Sequence, residues 1–319
     1  MAGPMSNSEP PTPQTPAVLF LIFNRPDTTA EVFAAIRRAR PTRLYVAADG
    51  PRPGRDGEAA LCDQTRRIAT AVDWPCNVLT LFRETNLGCG AAVGGAVSWF
   101  FEHEPEGIIL EDDCLPDASF FPYCAELLER HRRDERIMCI AGFNSAPEPF
   151  AGSDSYTYSA LPAIWGWASW RRAWAHFDPL ALGSPTLRQD IRAVCKDKVF
   201  ENTFVEAFAR TASGELDTWD YVWNYCVWAQ RGLTCIPRVN LVRNIGFGED
   251  ATHTTDADHP RGKLEARSLE FPLRHPATVA RDRPFERLVI QHSYGIQLVK
   301  GPSLFQRARG KLKRILQDA

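Results

Sequence analysis

Apolar and polar positions divide the chain into two unlike halves. From Ala17 onward the first half alternates short apolar runs with amphipathic stretches. Ala17–Phe23 is apolar throughout, as expected for a strand covered on both faces. Asn24-Arg25-Pro26-Asp27 stops that run. Asp27 or Thr28 can then cap a helix whose apolar stripe is Val32, Phe33 and Ile36. Arg43–Ala48 reads as a second strand and ends in the turn signal Asp49-Gly50-Pro51-Arg52. Residues 58–72 read as a helix and Asn77–Phe82 as a third strand. Asn86–Gly90 is a loop feeding a helix over about Ala91–Glu102. Gly107–Leu110 is a fourth strand, Ala118–Arg132 a helix, and Ile137–Ala141 a strand again. Such alternation with short links predicts an α/β fold with a mostly parallel sheet flanked by helices.

The second half is less regular. Tryptophans crowd Pro162–Trp174 and Thr218–Trp228, Pro237–Val242 has a strand pattern, and Asn244–Asp258 is a loop of glycine, acids and histidine. Residues 1–16 hold five prolines and almost nothing apolar, which predicts a disordered tail. They carry no basic start and no apolar core, so no signal peptide is expected. The expected organisation is a tail at 1–16, a first half at 17–150, a second half at 151–265 and a C-terminal segment at 266–319.

Composition narrows the function classes. The net charge of −2 gives no global case for nucleic acid, so none is expected as a partner. The nine cysteines form no C-x-x-C pair and sit mostly in apolar surroundings, which reads as reduced thiols in a cytoplasmic protein. Over Lys300–Arg314 an apolar face (Leu304, Phe305, Ala308, Leu312) opposes a basic one (Arg307, Arg309, Lys311, Lys313). Residues 300–316 therefore suit a peripheral contact with a membrane surface, or a terminal helix packed on the domain.

Candidate chemistry gathers at strand ends, where open α/β sheets bind ligands. Asn24-Arg25, Asp49-Gly50 and Glu111-Asp112-Asp113 should converge on one edge. Three adjacent acids where a strand leaves the core are costly unless solvated or paired with a cation. Mg²⁺ and Mn²⁺ need only one or two protein carboxylates when phosphate and water complete the shell. Gly88-Cys89-Gly90 allows close backbone approach to a ligand, or a tight turn. In Asp217-Thr-Trp-Asp220, Asp217 reads as a helix cap with Asp220 in the first turn, or Asp220 as a general base. The tryptophans suit a core or a sugar-stacking surface. His253, in a glycine-hinged loop, could meet phosphate or metal.

The order of these motifs resembles the GT-A nucleotide-sugar glycosyltransferases, in particular the branch around the eukaryotic β-1,2-N-acetylglucosaminyltransferases that act on mannose. Ile109-Leu-Glu-Asp-Asp113 followed by Pro116-Asp117-Ala-Ser-Phe-Phe121 carries the similarity, and Ile137–Asn144 continues it. The resemblance implies a GT-A, Rossmann-like single large domain with a nucleotide-sugar-binding half (17–150) and an irregular acceptor half (151–265). It implies a UDP-sugar donor, with UDP-N-acetylglucosamine as the family's example, a glycan or glycolipid acceptor, and Mn²⁺ or Mg²⁺ as cofactor. By this carry-over Asp113 binds the metal, Asp112 and Glu111 touch ribose and donor sugar, and Asp49 holds the base. Arg25 matches a basic residue after the first strand, Thr252-His253 a phosphate-covering loop, and Asp220 the catalytic base. The family's Trp-Asp-Asp-Trp appears here as Trp219-Asp220-Tyr-Val-Trp223. The expected activity is an inverting transfer that builds a surface polysaccharide or lipid-linked glycan. The alternatives are a sugar nucleotidyltransferase and a non-catalytic glycan-binding or lytic protein on the same scaffold.

Overall fold

The computed structural model describes residues 14–146, 149–247 and 260–298. His253, most of the proline-rich tail and the basic segment 300–316 lie outside the described residues.

The alternation read from the first half is the order of its elements. It runs β1 (Val18–Ile22), α1 (Pro26–Ala39), β2 (Arg43–Ala48), α2 (Glu58–Ala69), β3 (Asn77–Phe82), α3 (Cys89–His103) and β4 (Glu106–Glu111). A short β5 (Cys114–Pro116), α4 (Phe120–His131) and β6 (Ile137–Ala141) follow. The second half contributes β7 (Tyr156–Ser159), β8 (Trp167–Trp170), α5 (Arg171–Trp174), α6 (Leu187–Val194), α7 (Lys198–Ala212), α8 (Asp220–Ala229), β9 (Leu233–Pro237), β10 (Val242–Asn244) and α9 (Arg283–Tyr294).

Eight strands form one sheet in the order β3-β2-β1-β4-β8-β6-β9-β7. Strands β3, β2, β1 and β4 are parallel neighbours. Strand β8 is antiparallel to both β4 and β6, β9 is parallel to β6, and β7 closes the edge antiparallel to β9. The two halves of the chain thus share one mostly parallel α/β sheet. Alternate side chains of β1 go to opposite layers, which is why its apolar run is unbroken. Val18, Phe20 and Ile22 share one core cluster with residues of α1 and α4, and Leu19 and Leu21 share the other with residues of α3, α7 and α8.

Several local expectations are corrected. Helix α1 starts at Pro26 with Arg25 in the capping position and no side-chain cap, so neither Asp27 nor Thr28 caps it. Proline at the first helical position has no N–H to satisfy, and the Arg25 side chain is left for other partners. Pro237–Val242 is not a strand: it links β9 to β10, and Asn240 in its middle is buried, accepting the Asn144 N–H at 3.1 Å. The region between β8 and α8 holds three α-helices and one 3₁₀ helix, Pro179–Gly183. Asp197 caps α7 by accepting the Val199 N–H at 2.8 Å, and Phe200, Phe204 and Phe208 repeat at helical spacing along its buried face. Six of the clustered tryptophans (167, 170, 174, 219, 223 and 228) are core, so sugar stacking is not their role; Trp165 is partly exposed.

Among the described residues, no helix is long and apolar enough to cross a membrane. All nine cysteines are free thiols.

Candidate functional site

Strand order reverses between β1 and β4, because β2 and β3 lie to one side of β1 and β4 to the other. A crevice opens beyond the carboxyl ends of the strands at such a point. Here it is a cavity of about 730 Å³, lined by Arg25, Asp49, Gly88, Glu111, Asp112, Asp113, Trp165, Asp217 and Asp220 among others. The three polar strand ends expected to converge do so, and the turn before α8 joins them.

Arg25 organises the acid triplet. Its guanidinium pairs with Asp112 through Nη2–Oδ1, and Nη1 lies 3.0 Å from Asp113 Oδ2. The other Asp112 oxygen accepts the Phe23 N–H at 3.3 Å, so that carboxylate is wholly engaged and 3% exposed. Burial opposes the Arg25 charge, but Asp112 and Asp113 outweigh it and raise its pKa. Burial, then Asp113 and Asp112, push the Glu111 carboxyl up to about 8.

Strand β10 fixes the turn that carries Asp113. It pairs antiparallel with β5, and the Ile245 N–H donates to the Asp113 carbonyl at 2.8 Å. Gly246 is thereby pressed against the site: a Cβ there would collide with the Asp113 carboxylate and lie 2.7 Å from Arg25 Nη1. Phe247, next in the chain, stands edge-on to Trp165 at 5.7 Å, and Trp165 meets Phe143 at 4.4 Å.

The loop Asn86–Gly90 lies between two carboxylates. Asp49 accepts the Gly50 and Leu87 N–H groups on Oδ1 at 2.9 and 3.0 Å and the Gly88 N–H on Oδ2 at 3.1 Å. Asp217 does not cap its own helix. It accepts the Cys89 N–H at 2.7 Å and the Gly90 N–H at 2.8 Å, capping α3 from 128 and 127 positions away. A Cβ on Gly88 would collide with Asp217, and one on Gly90 would lie 2.9 Å from its Oδ1. Both glycines are therefore needed for an internal carboxylate, a role that local sequence did not reveal. Asp220 is the first residue of α8. Its Oδ1 accepts the Thr218 hydroxyl at 2.5 Å and the Tyr221 N–H at 2.7 Å. Cys89 sits amid these acids; burial, then Glu111, Asp217, Asp220 and Asp113, raise its thiol far above the ordinary range.

Among the described residues, no group of three or more His, Cys, Asp or Glu side chains is placed to hold a metal ion unaided. The residues nevertheless fit a divalent cation that brings most of its own shell. Hard carboxylate oxygens of Asp113 and Glu111 line the cavity, and two of the triplet's three acids, Asp112 and Asp113, pair with one guanidinium.

Neither a family model nor a curated protein matches the chain. Among the solved structures that resemble it distantly are two from different organisms. HddC from Yersinia pseudotuberculosis is 11% identical, with 49% of this chain and 77% of that one covered and a TM-score of 0.32. The apo form of mouse xyloside xylosyltransferase 1 is 7% identical, with 67% and 80% covered and a TM-score of 0.36. Likeness at that level settles no function, so function has to be argued from the residues of the site.

Proposed function

We propose that the protein is a metal-assisted glycosyltransferase of the GT-A type that moves a sugar from a UDP-sugar to a hydroxyl of a glycan or glycolipid. One observation carries the reading: the acid triplet, its arginine, Asp49 and the Asp220 turn line a single cavity at the point where strand order reverses. A cavity of about 730 Å³ is within the range that holds a nucleotide-sized ligand.

In this reading Asp113, with Glu111 beside it, would hold Mn²⁺ or Mg²⁺ against the donor's diphosphate. The cation, when bound, supplies positive charge for the departing nucleoside diphosphate. Arg25 holds Asp112 and Asp113 in register and adds a fixed positive charge at the same end of the cavity. Asp49 shapes the base end, where any contact to the base is shared with three backbone amides. Asp220, oriented by Thr218 and the Tyr221 amide, accepts the proton of the attacking hydroxyl in a single inverting displacement. Trp165 offers a partly exposed ring for a sugar face.

A nucleotidyltransferase is disfavoured, because β1 enters α1 through Phe23, Asn24 and Arg25 without a glycine-rich loop. A thermal-shift panel of UDP-, GDP- and CMP-sugars, each with Mn²⁺ or EDTA, tests the donor class. Stabilisation by a UDP-sugar that EDTA abolishes is expected; no shift with any nucleotide would remove the donor site and move the glycan-binding alternative ahead.

A further inference from the structure

We propose that Asp217 is a positioning residue that fixes the Asp220 turn against the donor-binding half, an inference that rests on the glycosyltransferase reading above. Asp217 and Asp220 share one short segment, Asp217-Thr218-Trp219-Asp220. The two acids use their oxygens differently. Both Asp217 oxygens accept backbone N–H groups, those of Cys89 and Gly90, at the start of α3. Both oxygens of Asp217 are thus engaged in holding the start of α3. Asp217 is therefore not the base, although it lines the same cavity.

It can instead set where the base stands. The loop it grips is held on its other side by Asp49, which caps the Leu87 and Gly88 amides from the end of β2. Through these two carboxylates the end of β2, the loop before α3 and the turn before α8 become one unit. Trp219, between the two acids, is 2% exposed and stacks on Trp167 at 5.6 Å, so the segment has a rigid floor as well as a tether. Thr218, next to Asp217, donates to Asp220 Oδ1. A change at Asp217 reaches Asp220 through two covalent neighbours and one hydrogen bond. The absence of side chains at Gly88 and Gly90 is what lets the Asp217 carboxylate approach.

The tether makes a prediction that a surface acid of no consequence would not. Asp217→Ala should speed amide hydrogen exchange at Cys89 and Gly90, and at Thr218–Tyr221, by about tenfold or more, since charge-assisted bonds to those amides are lost. UDP affinity in Mn²⁺ should stay within about twofold. With UDP-glucose, UDP-galactose or UDP-N-acetylglucosamine as donor, whichever the wild type turns over, kcat should fall on the order of 10²-fold with little change in donor KM. Gly90→Ala should reproduce the loss, and the double variant should be no worse than either single one, because both break the same contact. Unchanged exchange in Asp217→Ala, or unchanged kcat beside an inactive Asp220→Asn, overturns the positioning role and leaves the function standing. An Asp220→Asn variant that retains turnover overturns the base assignment, and the positioning role with it.

Discussion

Arg25 Nη1 lies 3.0 Å from Asp113 Oδ2, so the carboxylate proposed to meet a metal already has a cation of the protein's own beside it. The same guanidinium pairs with Asp112, whose side chain is 4% exposed. Removing one partner of a nearly buried ion pair leaves the other charge uncompensated and costs about 3–5 kcal/mol. Arg25→Met is expected to destabilise the fold by roughly that amount, with part of the loss recovered in millimolar Mg²⁺ or Mn²⁺. Urea midpoints with and without metal check this; a variant as stable as the wild type would show that the acids do not need the arginine.

Asp49 is expected to behave as a loop clamp. Asp49→Asn keeps the shape but turns an amide NH₂ toward backbone N–H groups that the carboxylate now satisfies. Leaving a buried donor unpaired costs about 1–3 kcal/mol. Stability should drop by that order and UDP affinity should weaken with it, as read by thermal unfolding and calorimetry on one preparation. Full stability with lost UDP binding would make Asp49 a base ligand and nothing more.

Two neighbouring tryptophans should part company. Trp167 is fully buried against Trp174, Trp219 and Trp223, so Trp167→Ala should cost about 3–5 kcal/mol. Trp165 is partly exposed on the cavity wall, and Trp165→Ala should leave the unfolding midpoint nearly unchanged while raising KM for donor or acceptor. The two midpoints, compared side by side, test the assignment of core against cavity.

Acid stability should be governed in part by His131. The ring is 4% exposed, Nε2 is 3.3 Å from the Tyr156 hydroxyl, and its pKa is lowered from 6.5 to about 4 by burial first and then by Arg130. The unfolded chain therefore binds this proton at higher pH than the folded one. The contribution is complete above the ordinary value of 6.5, is lost as pH falls toward about 4, and changes no further below that. Between pH 7 and pH 5 the wild type should lose about 2 kcal/mol more stability than His131→Gln. Parallel pH dependences for the two proteins would exclude His131 as the source.

How much of this was legible in the sequence depended on the range of the interaction. The unbroken apolar run of β1 announced a strand with helices on both sides, and the acids after Leu110 marked the edge where the cavity opens. Local caps were less secure. Asp217 looked like the cap of the helix it precedes, but its partners are Cys89 and Gly90, and nothing within a few residues of Asp217 encodes a pairing across 128 positions. For the same reason the loop's own sequence did not show that Gly88 and Gly90 make room for the Asp217 carboxylate. Asn240 in Pro237–Val242 has an apolar-alternating neighbourhood, yet its buried amide holds a linker together. Helix α7 was missed in the sequence, although the Asp197 cap and the spacing of Phe200, Phe204 and Phe208 encode it.

Calorimetric titration of UDP into wild type and Asp113→Asn, each with Mn²⁺ and with EDTA, decides whether the acid triplet presents a metal to a nucleoside diphosphate. Tight binding is expected only for wild type with Mn²⁺, and weak binding in the other three cases. Equal UDP affinity in all four would contradict it.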